Sequence, residues 1–469
     1  MLTYETLLDT VVATDGDTVT ITAPATERPI GDAPWHDVAD LEAAIARAKE
    51  AQPAWAALSS EERADYLNRA ADAVEASAEP LAQLLAREVG KPLGGANARF
   101  EVGACANWLR ATAAQEIPAE VIVDDGETHA ELHYRPIGVV GAITPWNWPM
   151  MIATWQIAPS LRMGNTVVIK PSEYTPLSGL ALAAVMNQVL PEGVLNVVVG
   201  GGELGAAMTA NPEFGKIMFT GSTATGIKII ESSASNITRL TLELGGNDAG
   251  IVLPDADPEK VAADIFWGAF LNTGQTCAAL KRLYVHDDIY DEVVDAIARV
   301  AASTPMGDSL DEASLLGPVQ NRRQWNVVDS LVKDAVEDGA RIVVGGDPDE
   351  EQPGYFYPAT IVADISPDSA LVVEEQFGPA LPIVRYSDIE DALNWANSLD
   401  VGLGASVWGE DREAARRVAE RVQAGTVWIN GHGGVHPFIP FGGTKRSGYG
   451  VEFGVEGLKA VSVPQVING

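Results

Sequence analysis

Cys277 has the surroundings of a reactive cysteine. It lies in the segment LNTGQTCAALKR, residues 271–282, whose small and polar residues would leave the thiol accessible to a substrate. A cysteine attacks as its thiolate, which a nearby base, a cation or a helix N-terminus must favour. The other cysteine, Cys105, lies in an apolar helical pattern, where we expect it to fill space in the core. The sequence therefore offers Cys277 as its candidate nucleophile.

Two further side chains could complete a reaction at this thiol. Glu243 lies in TLELGGND, an apolar strand pattern, where burial would raise the pKa of a carboxyl group and suit it to act as a general base on water. Asn147 lies in TPWNWP between bulky residues, so its amide could donate to a developing oxyanion, and an ordinary Asx turn is the alternative. The six histidines fall in no motif that would make one of them the partner of the cysteine.

Glycine-rich turns indicate a nucleotide. The segment VVVGGGELGAAM places Gly200, Gly202 and Gly205 in GxGxxG spacing between a strand pattern and a helix pattern, where backbone amides could approach a pyrophosphate. The motif is weak alone, because a tight turn needs glycine anyway and no acidic residue follows at the spacing of a ribose contact. Gly221 and Ser222, in FTGSTATG, form a second such turn, which strengthens the case for a nucleotide.

Lys170 and Glu173 follow a third strand pattern, in VVIKPSE. A cation and a carboxylate at the end of a strand could hold the hydroxyl groups of a ribose. A surface pair that caps the next helix is the alternative.

The spacing of apolar residues predicts an α/β fold. The first third of the chain has helical periodicity, with Ser59 and Ser60 as candidate caps. From residue 137, short β-branched runs alternate with helical patterns, which predicts a parallel, doubly wound sheet, and a second alternating set predicts another α/β domain. The segments HAELHYRP and VSVPQVI have no helix partner and are typical of edge strands that pair with another element or subunit.

Composition narrows the class of protein. A chain of 469 residues is long enough for roughly two to four structural units. Its net charge of −34 would repel nucleic acid and acidic membrane surfaces. We see neither an apolar segment that could span a bilayer nor a secretory signal, so we expect a cytoplasmic protein. Acidic clusters in apparent loops would hydrate the surface in a high-salt cytoplasm, and we hypothesise a halophilic source.

Seven motifs, in order along nearly the whole chain, resemble those of the aldehyde dehydrogenase superfamily. They are TPWNWP, GNTVVIKPSEYTP, FTGSTATG, LELGGND, NTGQTCAALKR, EEQFGP and PFGGTKRSGYG. The resemblance implies a Rossmann-type cofactor domain (residues 1–117 and 136–244), an α/β catalytic domain (residues 245–439) and a β oligomerisation arm (residues 118–135 and 440–469). Such an arm implies a homodimer or a homotetramer.

The resemblance also implies a reaction. Cys277 would attack a small-molecule aldehyde, and the Asn147 amide and the Cys277 backbone N–H would hold the oxyanion of the thiohemiacetal. Hydride would then pass to a nicotinamide cofactor. Glu243 would activate the water that hydrolyses the thioacyl-enzyme to a carboxylic acid. This scheme requires no metal.

The cofactor implied by the resemblance is NAD rather than NADP. A carboxylate at the position of Glu173 accepts a hydrogen bond from a free 2′-hydroxyl of the adenosine ribose and repels a 2′-phosphate. The positions that match cofactor contacts in the family are Trp146, Lys170, Glu173, Gly221, Ser222, Glu375 and Phe377.

The matching positions of the substrate tunnel are mostly apolar or aromatic. They are Trp148, Ile152, Trp155, Thr276, Ala278 and Phe441. Because this set has no basic residue that would hold a substrate carboxylate, we expect an apolar or aromatic aldehyde rather than succinate semialdehyde. The chain departs from commoner family sequences in CAALKR and at Gln156, where many relatives have lysine.

Two alternatives remain within the same fold. In a CoA-acylating dehydrogenase CoA takes the acyl group, but such relatives often lack the base at Glu243. A non-catalytic binding protein of this fold would have no need to keep Cys277, Glu243 and Asn147 together.

Overall fold

The computed structural model describes residues 2–13, 15–349 and 351–469. Residues 4–113 form α1 (Tyr4–Asp9), β1 (Thr18–Thr22), β2 (Pro29–Pro34), α2 (Val38–Ala57), α3 (Ser60–Ala76), α4 (Ala78–Val89) and α5 (Ala98–Ala113). Residues 120–244 form β3 (Glu120–Asp124), β4 (His129–Pro136), β5 (Val139–Ile143), α6 (Pro149–Arg162), β6 (Thr166–Lys170), α7 (Pro176–Met186), β7 (Leu195–Val197), α8 (Gly202–Ala210), β8 (Phe214–Gly221), α9 (Thr223–Ser233) and β9 (Arg239–Leu244).

The rest of the chain continues the alternation of strands and helices. Residues 248–397 form β10 (Asp248–Val252), α10 (Pro258–Phe270), β11 (Leu280–His286), α11 (Tyr290–Ser303), α12 (Arg322–Glu337), β12 (Arg341–Val344), β13 (Thr360–Ala363), α13 (Ala370–Val373), β14 (Ala380–Tyr386) and α14 (Ile389–Asn397). Residues 401–468 form β15 (Val401–Gly402), β16 (Gly404–Trp408), α15 (Arg412–Ala419), β17 (Thr426–Ile429), β18 (Thr444–Lys445), β19 (Gly448–Tyr449), α16 (Gly454–Ala460) and β20 (Ser462–Asn468). Single 3₁₀ turns occupy Ala234–Asn236 and Asp287–Ile289, and Leu271–Gly274 forms a turn with non-helical backbone angles.

The helical periodicity of the first third is confirmed. Ser59 is the N-cap of α3, and its hydroxyl accepts from the backbone N–H of Glu62 while the Glu62 carboxylate accepts from the backbone N–H of Ser59. Ser60 is the first helical residue, so of the two candidate caps Ser59 has the role.

The first sheet is the predicted doubly wound sheet. Its strand order is β7-β6-β5-β8-β9-β19, and the first five of these strands are parallel. Alternate side chains bury against opposite layers: Val167 and Ile169 pack with α6 and α7, whereas Val168 and Ile217 pack with α2 and α8. The direction of winding reverses between β5 and β8, and in such sheets ligands bind outside the carboxyl ends of the strands at that crevice.

The second sheet confirms the other predicted α/β unit. Its strand order is β12-β13-β14-β11-β10-β16-β17, with β12 antiparallel and the others parallel. A separate apolar core lies on each face, one containing Ile251 and Val384 and the other containing Val252 and Ile383. Glu243 is the penultimate residue of β9 in the first sheet and Cys277 precedes β11 of the second, so the candidate site lies where the two sheets meet.

The third sheet joins the two orphan strands. Its order is β20-β4-β3, and all pairs are antiparallel. Within 440–469, β20 joins this sheet, whereas β18 pairs with β15 and β19 with β9. Large apolar side chains stand exposed on β3 and β20: Val121, Ile122, Val466 and Ile467.

Candidate active site

The backbone just before Cys277 is unusual. After α10 ends, Asn272, Thr273 and Gly274 have consecutive positive φ angles of 53°, 56° and 75°. This left-handed conformation costs energy at the two residues that have side chains, so surrounding contacts must hold it. Asn272 Nδ2 donates to the backbone oxygen of Asn147 at 2.9 Å, and the Thr273 hydroxyl bonds Gly317 O at 3.1 Å. The resulting turn leaves Cys277 only partly buried.

The turn that carries Asn147 is bound to this segment. Asn147 Nδ2 donates to the backbone oxygen of Gln275 at 2.9 Å, and the indole of Trp148 donates to Thr276 Oγ1 at 2.9 Å. The contact to Gln275 joins segments 128 residues apart in the chain, so it ties the Asn147 side chain to the segment of Cys277. A carboxamide has two N–H donors, and one of them remains for a group at the thiol.

A buried ion pair that sequence reasoning missed supports the Asn147 turn. Lys91 Nζ lies 2.5 Å from a carboxylate oxygen of Glu101, donates to Asn147 O at 2.8 Å and lies 3.5 Å from the ring centroid of Trp148. Glu101 also accepts from the backbone N–H of Met150 at 2.9 Å, at the start of α6. Burial lowers the pKa of Lys91 to about 8, and the charge of Glu101 opposes that shift. A charged residue within the apolar helical pattern ARFEVGACANW was the available signal.

Glu243 is a buried carboxyl group without a hydrogen-bond partner on either oxygen. Its pKa is raised well above the usual value, first by burial and then by the negative charge of Glu452. Burial raises the pKa of Glu452 itself to about 8, although Lys216 opposes the shift. Glu243, Glu452 and Cys277 line one small cavity of about 10 Å³, which is near the least volume that holds one water molecule.

The surroundings of the Cys277 thiol disfavour its ionisation. Burial raises its pKa to about 12, Asp248 and Glu243 raise it as well, and Lys281 lowers it. Ionisation therefore needs a proton acceptor or additional positive charge at the site.

A larger cavity of about 730 Å³ opens on the thiol. Its lining includes Cys277 and all six predicted pocket residues, which are Trp148, Ile152, Trp155, Thr276, Ala278 and Phe441. Sequence reasoning missed several apolar members, which are Phe100, Trp108, Met151, Trp267, Leu271 and Val435. The lining residues that the structure describes include no lysine or arginine, whereas the exposed Asp264 contributes a carboxylate.

Three predicted cofactor residues, Trp146, Glu375 and Phe377, have contacts near the end of β9 or with one another. The rings of Trp146 and Phe377 meet edge to face, with centroids 5.4 Å apart. A carboxylate oxygen of Glu375 lies 3.1 Å from Lys281 Nζ and accepts from the backbone N–H of Gly246 at 3.3 Å. The motif therefore places Glu375 and Phe377 next to the end of β9, close to both Glu243 and Cys277.

The other predicted cofactor residues lie at strand ends of the first sheet. Lys170 ends β6, where burial lowers its pKa and the charge of Glu173 opposes that shift. Gly221 ends β8, and Ser222 is the N-cap of α9, with its hydroxyl accepting from Thr225 N. A Cβ atom added at Gly205, in α8, would lie 3.7 Å from Lys170 Cε. The glycine-rich helix therefore passes next to this lysine.

These residues fit a dinucleotide. Helices α8 and α9 begin after the carboxyl ends of β7 and β8, where their free N–H groups would meet a pyrophosphate. A Cβ atom added at Gly202, the first residue of α8, would have no other atom within 4 Å. The backbone there is therefore open to a ligand.

The described residues contain neither a cluster of metal ligands nor a helix that could span a membrane. No group of three or more histidine, cysteine, aspartate or glutamate side chains is arranged to hold a metal ion. None of the helices combines the length and the apolar character needed to cross a membrane.

This fold and the grouping of a thiol, a carboxyl and an amide define a family. The chain belongs to the aldehyde dehydrogenase family, whose model matches residues 11–467. It is 39% identical over 462 residues to phenylacetaldehyde dehydrogenase of Pseudomonas fluorescens, covering 96% of this chain and 92% of that one. It is 40% identical over 436 residues to the aldehyde dehydrogenase LUC3 of a Fusarium species, covering 93% and 92%.

A solved structure shows the same fold. The crystal structure of PnpE in complex with nicotinamide adenine dinucleotide superposes with a TM-score of 0.94 and is 38% identical, covering 98% of this chain and 95% of that one.

Proposed function

We propose that the protein oxidises an aldehyde to a carboxylic acid with NAD, through a covalent intermediate on Cys277. The observation that carries this proposal is that three separate segments meet at one site. Glu243 and Cys277 line one small cavity, and the Asn147 side chain donates to the backbone oxygen of Gln275, two residues before Cys277. A thiol, a base with a raised pKa and an amide donor are the groups that acyl chemistry on a cysteine requires.

Each side chain has one task in this proposal. The Cys277 thiolate forms a C–S bond to the carbonyl carbon, and the Asn147 amide and the Cys277 backbone N–H donate to the oxygen that becomes negative. NAD, when bound, accepts the hydride that leaves this carbon. Glu243 then takes a proton from a water molecule in the small cavity, and the water attacks the thioacyl carbon. The C–S bond breaks, which releases the carboxylic acid and restores the thiolate.

The residues that would hold NAD are those that gather at the strand ends and beside the thiol. They are Trp146, Lys170, Glu173, Gly221, Ser222, Glu375 and Phe377. Glu173 would accept from the 2′-hydroxyl of the adenosine ribose and would repel the phosphate of NADP, so NADP is the poorer cofactor. The complex of PnpE with nicotinamide adenine dinucleotide supports this choice.

The substrate class follows from the larger cavity. Four tryptophans and two phenylalanines line it, the described lining residues include no lysine or arginine, and Asp264 would repel a negatively charged substrate. A neutral apolar or aromatic aldehyde fits this lining better than succinate semialdehyde does. The likeness to a phenylacetaldehyde dehydrogenase is consistent with that choice.

We also infer a domain organisation and an oligomer. Residues 1–117 and 136–244 would form the cofactor domain, residues 245–439 the catalytic domain, and residues 118–135 with β20, from the range 440–469, the oligomerisation arm. Exposed apolar side chains on β3 and β20, and the free outer edges of these strands, support assembly into a homodimer or homotetramer through this arm.

The charge of the chain supports a further proposal about its setting. A net charge of −34 fits an acidic, strongly hydrated surface and a cytoplasm rich in salt, as in a halophile. Stability that did not rise with KCl would contradict this.

The deciding experiment is an assay of NADH absorbance. The purified protein is mixed with aliphatic, aromatic and carboxylated aldehydes, with NAD or NADP, with or without CoA, at low and at molar KCl. We expect turnover with NAD alone, fastest for aromatic or apolar aldehydes. Turnover that requires CoA would identify an acylating enzyme, and a folded sample without turnover in any condition would identify a binding protein.

A further inference from the structure

Lys281 is a buried cation between the thiol and the cofactor side of the site. It is the second residue of β11, and its side chain is 2% exposed. Its ammonium donates to the backbone oxygen of Cys277, lies 3.1 Å from a carboxylate oxygen of Glu375 and lies 5.7 Å from the ring centroid of Phe377. No step of the proposed reaction has yet used this residue.

The polar contacts of Lys281 connect three segments of the site. The contact with Cys277 O holds the nucleophile's own turn. The ion pair holds Glu375, which also accepts from the backbone N–H of Gly246, two residues after β9 ends. One ammonium group therefore fixes the segment of the thiol to the segment of Glu375 and Phe377, and indirectly to the end of the strand that carries Glu243.

The charges around the thiol are mostly negative. Glu243 faces it from β9 and Asp248 from β10, while Lys281 faces it from β11. Behind these groups lie Glu452 beside Glu243, Glu375 beside Lys281, and His432, whose Nε2 is 3.6 Å from Asp248 Oδ2. A thiolate formed among carboxylates is costly unless a positive charge offsets them.

We propose that Lys281 is a positioning residue, which presents a fixed positive charge to the Cys277 thiol and ties Glu375 to the segment that carries this thiol. The proposal deepens the proposed function, because it rests on Cys277 being the nucleophile. The directions of the pKa shifts agree with it: Lys281 lowers the pKa of Cys277, which burial and the carboxylates Asp248 and Glu243 raise. Lys281 likewise opposes the rise in the pKa of Glu375 that burial causes.

Alkylation of the thiol tests this directly. Iodoacetamide reacts with the thiolate, so its rate against pH reports the ionisation of Cys277 without cofactor or aldehyde. Cys105 is fully buried, and peptide mass spectrometry distinguishes the two cysteines. In Lys281→Met the rising limb of this profile should shift upward by about 1 pH unit, which makes alkylation about tenfold slower at a given pH on that limb.

A double variant separates the lost cation from an unpaired carboxylate. Lys281→Met leaves the partly buried Glu375 without its partner, which could alter the site or its folding. Lys281→Met/Glu375→Gln removes both charges, and the melting temperature shows whether each variant is folded. The double variant should retain at least half of the upward shift, and it decides the question alone if the single variant does not fold.

Two results would overturn the proposal. One is a folded double variant with the parental alkylation profile, which would assign the single variant's shift to the unpaired Glu375. The other is an unchanged profile in both variants, which would leave Lys281 a purely structural role. Alkylation needs neither NAD nor aldehyde, so the two proposals can fail independently. If the proposed oxidation is wrong, the parent protein would still be alkylated at Cys277 but would produce no NADH.

Discussion

Replacement of Glu243 by glutamine would separate the two halves of the proposed reaction. Neither carboxylate oxygen of Glu243 has a hydrogen-bond partner, so an amide of the same shape breaks no protein contact. Burial and the charge of Glu452 both disfavour the ionised carboxylate, so a neutral side chain relieves a cost. The melting temperature of Glu243→Gln should therefore equal or exceed that of the parent.

The kinetic effect should be large and confined to the later step. A positioned general base accelerates proton transfer by about 10²- to 10⁴-fold, and glutamine cannot accept the proton from water. This corresponds to about 3–5 kcal/mol of barrier in the hydrolysis of the thioacyl-enzyme. Attack by Cys277 and hydride departure do not use Glu243, so the first turnover should survive.

Rapid mixing would show both effects in one trace. We expect a burst of NADH close to one per site, followed by a steady state slower than that of the parent by about 10²- to 10⁴-fold. Mass spectrometry should find the acyl group on the peptide that contains Cys277, and Cys277→Ala is the control that should give neither burst nor adduct. A steady state within about threefold of the parent, or equal slowing of the burst and the steady state, would refute the assignment of Glu243 as the base for hydrolysis.

Two other substitutions test the neighbours of these groups. Glu452→Gln removes a negative charge that raises the pKa of Glu243, so the rising limb of steady-state rate against pH should move to lower pH, by about 1 unit. An unmoved limb would contradict that coupling. Lys91→Met leaves Glu101 unpaired in the core, which should cost about 3–5 kcal/mol of unfolding free energy. For a chain of this length that is a fall in melting temperature of about 3–5 °C by thermal scanning. Lys91→Met/Glu101→Gln should recover most of that loss, and a single variant that melts like the parent would show that the pair adds no stability.

The sequence predicted those site residues that lie inside local motifs. Cys277, Glu243 and Asn147 stand in segments whose neighbours are small, apolar or rigid, and these local patterns indicate a candidate nucleophile, a buried carboxyl and a fixed amide. The six predicted pocket residues line the cavity because they adjoin such motifs.

The residues that sequence reasoning missed depend on contacts between distant segments. Glu101 reaches the start of α6 because α5 packs on α6, whereas Lys91, after α4, meets both Glu101 and Asn147, and neither residue lies in a motif. Phe100 and Trp267 reach the cavity from α5 and α10 in the same way. Lys281 stands within the nucleophile's own motif, yet its partner Glu375 comes from another segment. Periodicity shows that a residue is buried, but it does not identify what the residue meets.

The electrostatics of the site explain how a reactive thiol and a base can coexist at rest. Burial raises the pKa of both Cys277 and Glu243, and the charge of Glu243 raises the pKa of Cys277 further. Both shifts favour the neutral forms, and ionisation of one group makes ionisation of the other more costly. Formation of the thiolate therefore depends on positive charge at the site. Lys281 supplies part of that charge permanently, so its contribution sets how much more is needed before the thiolate forms.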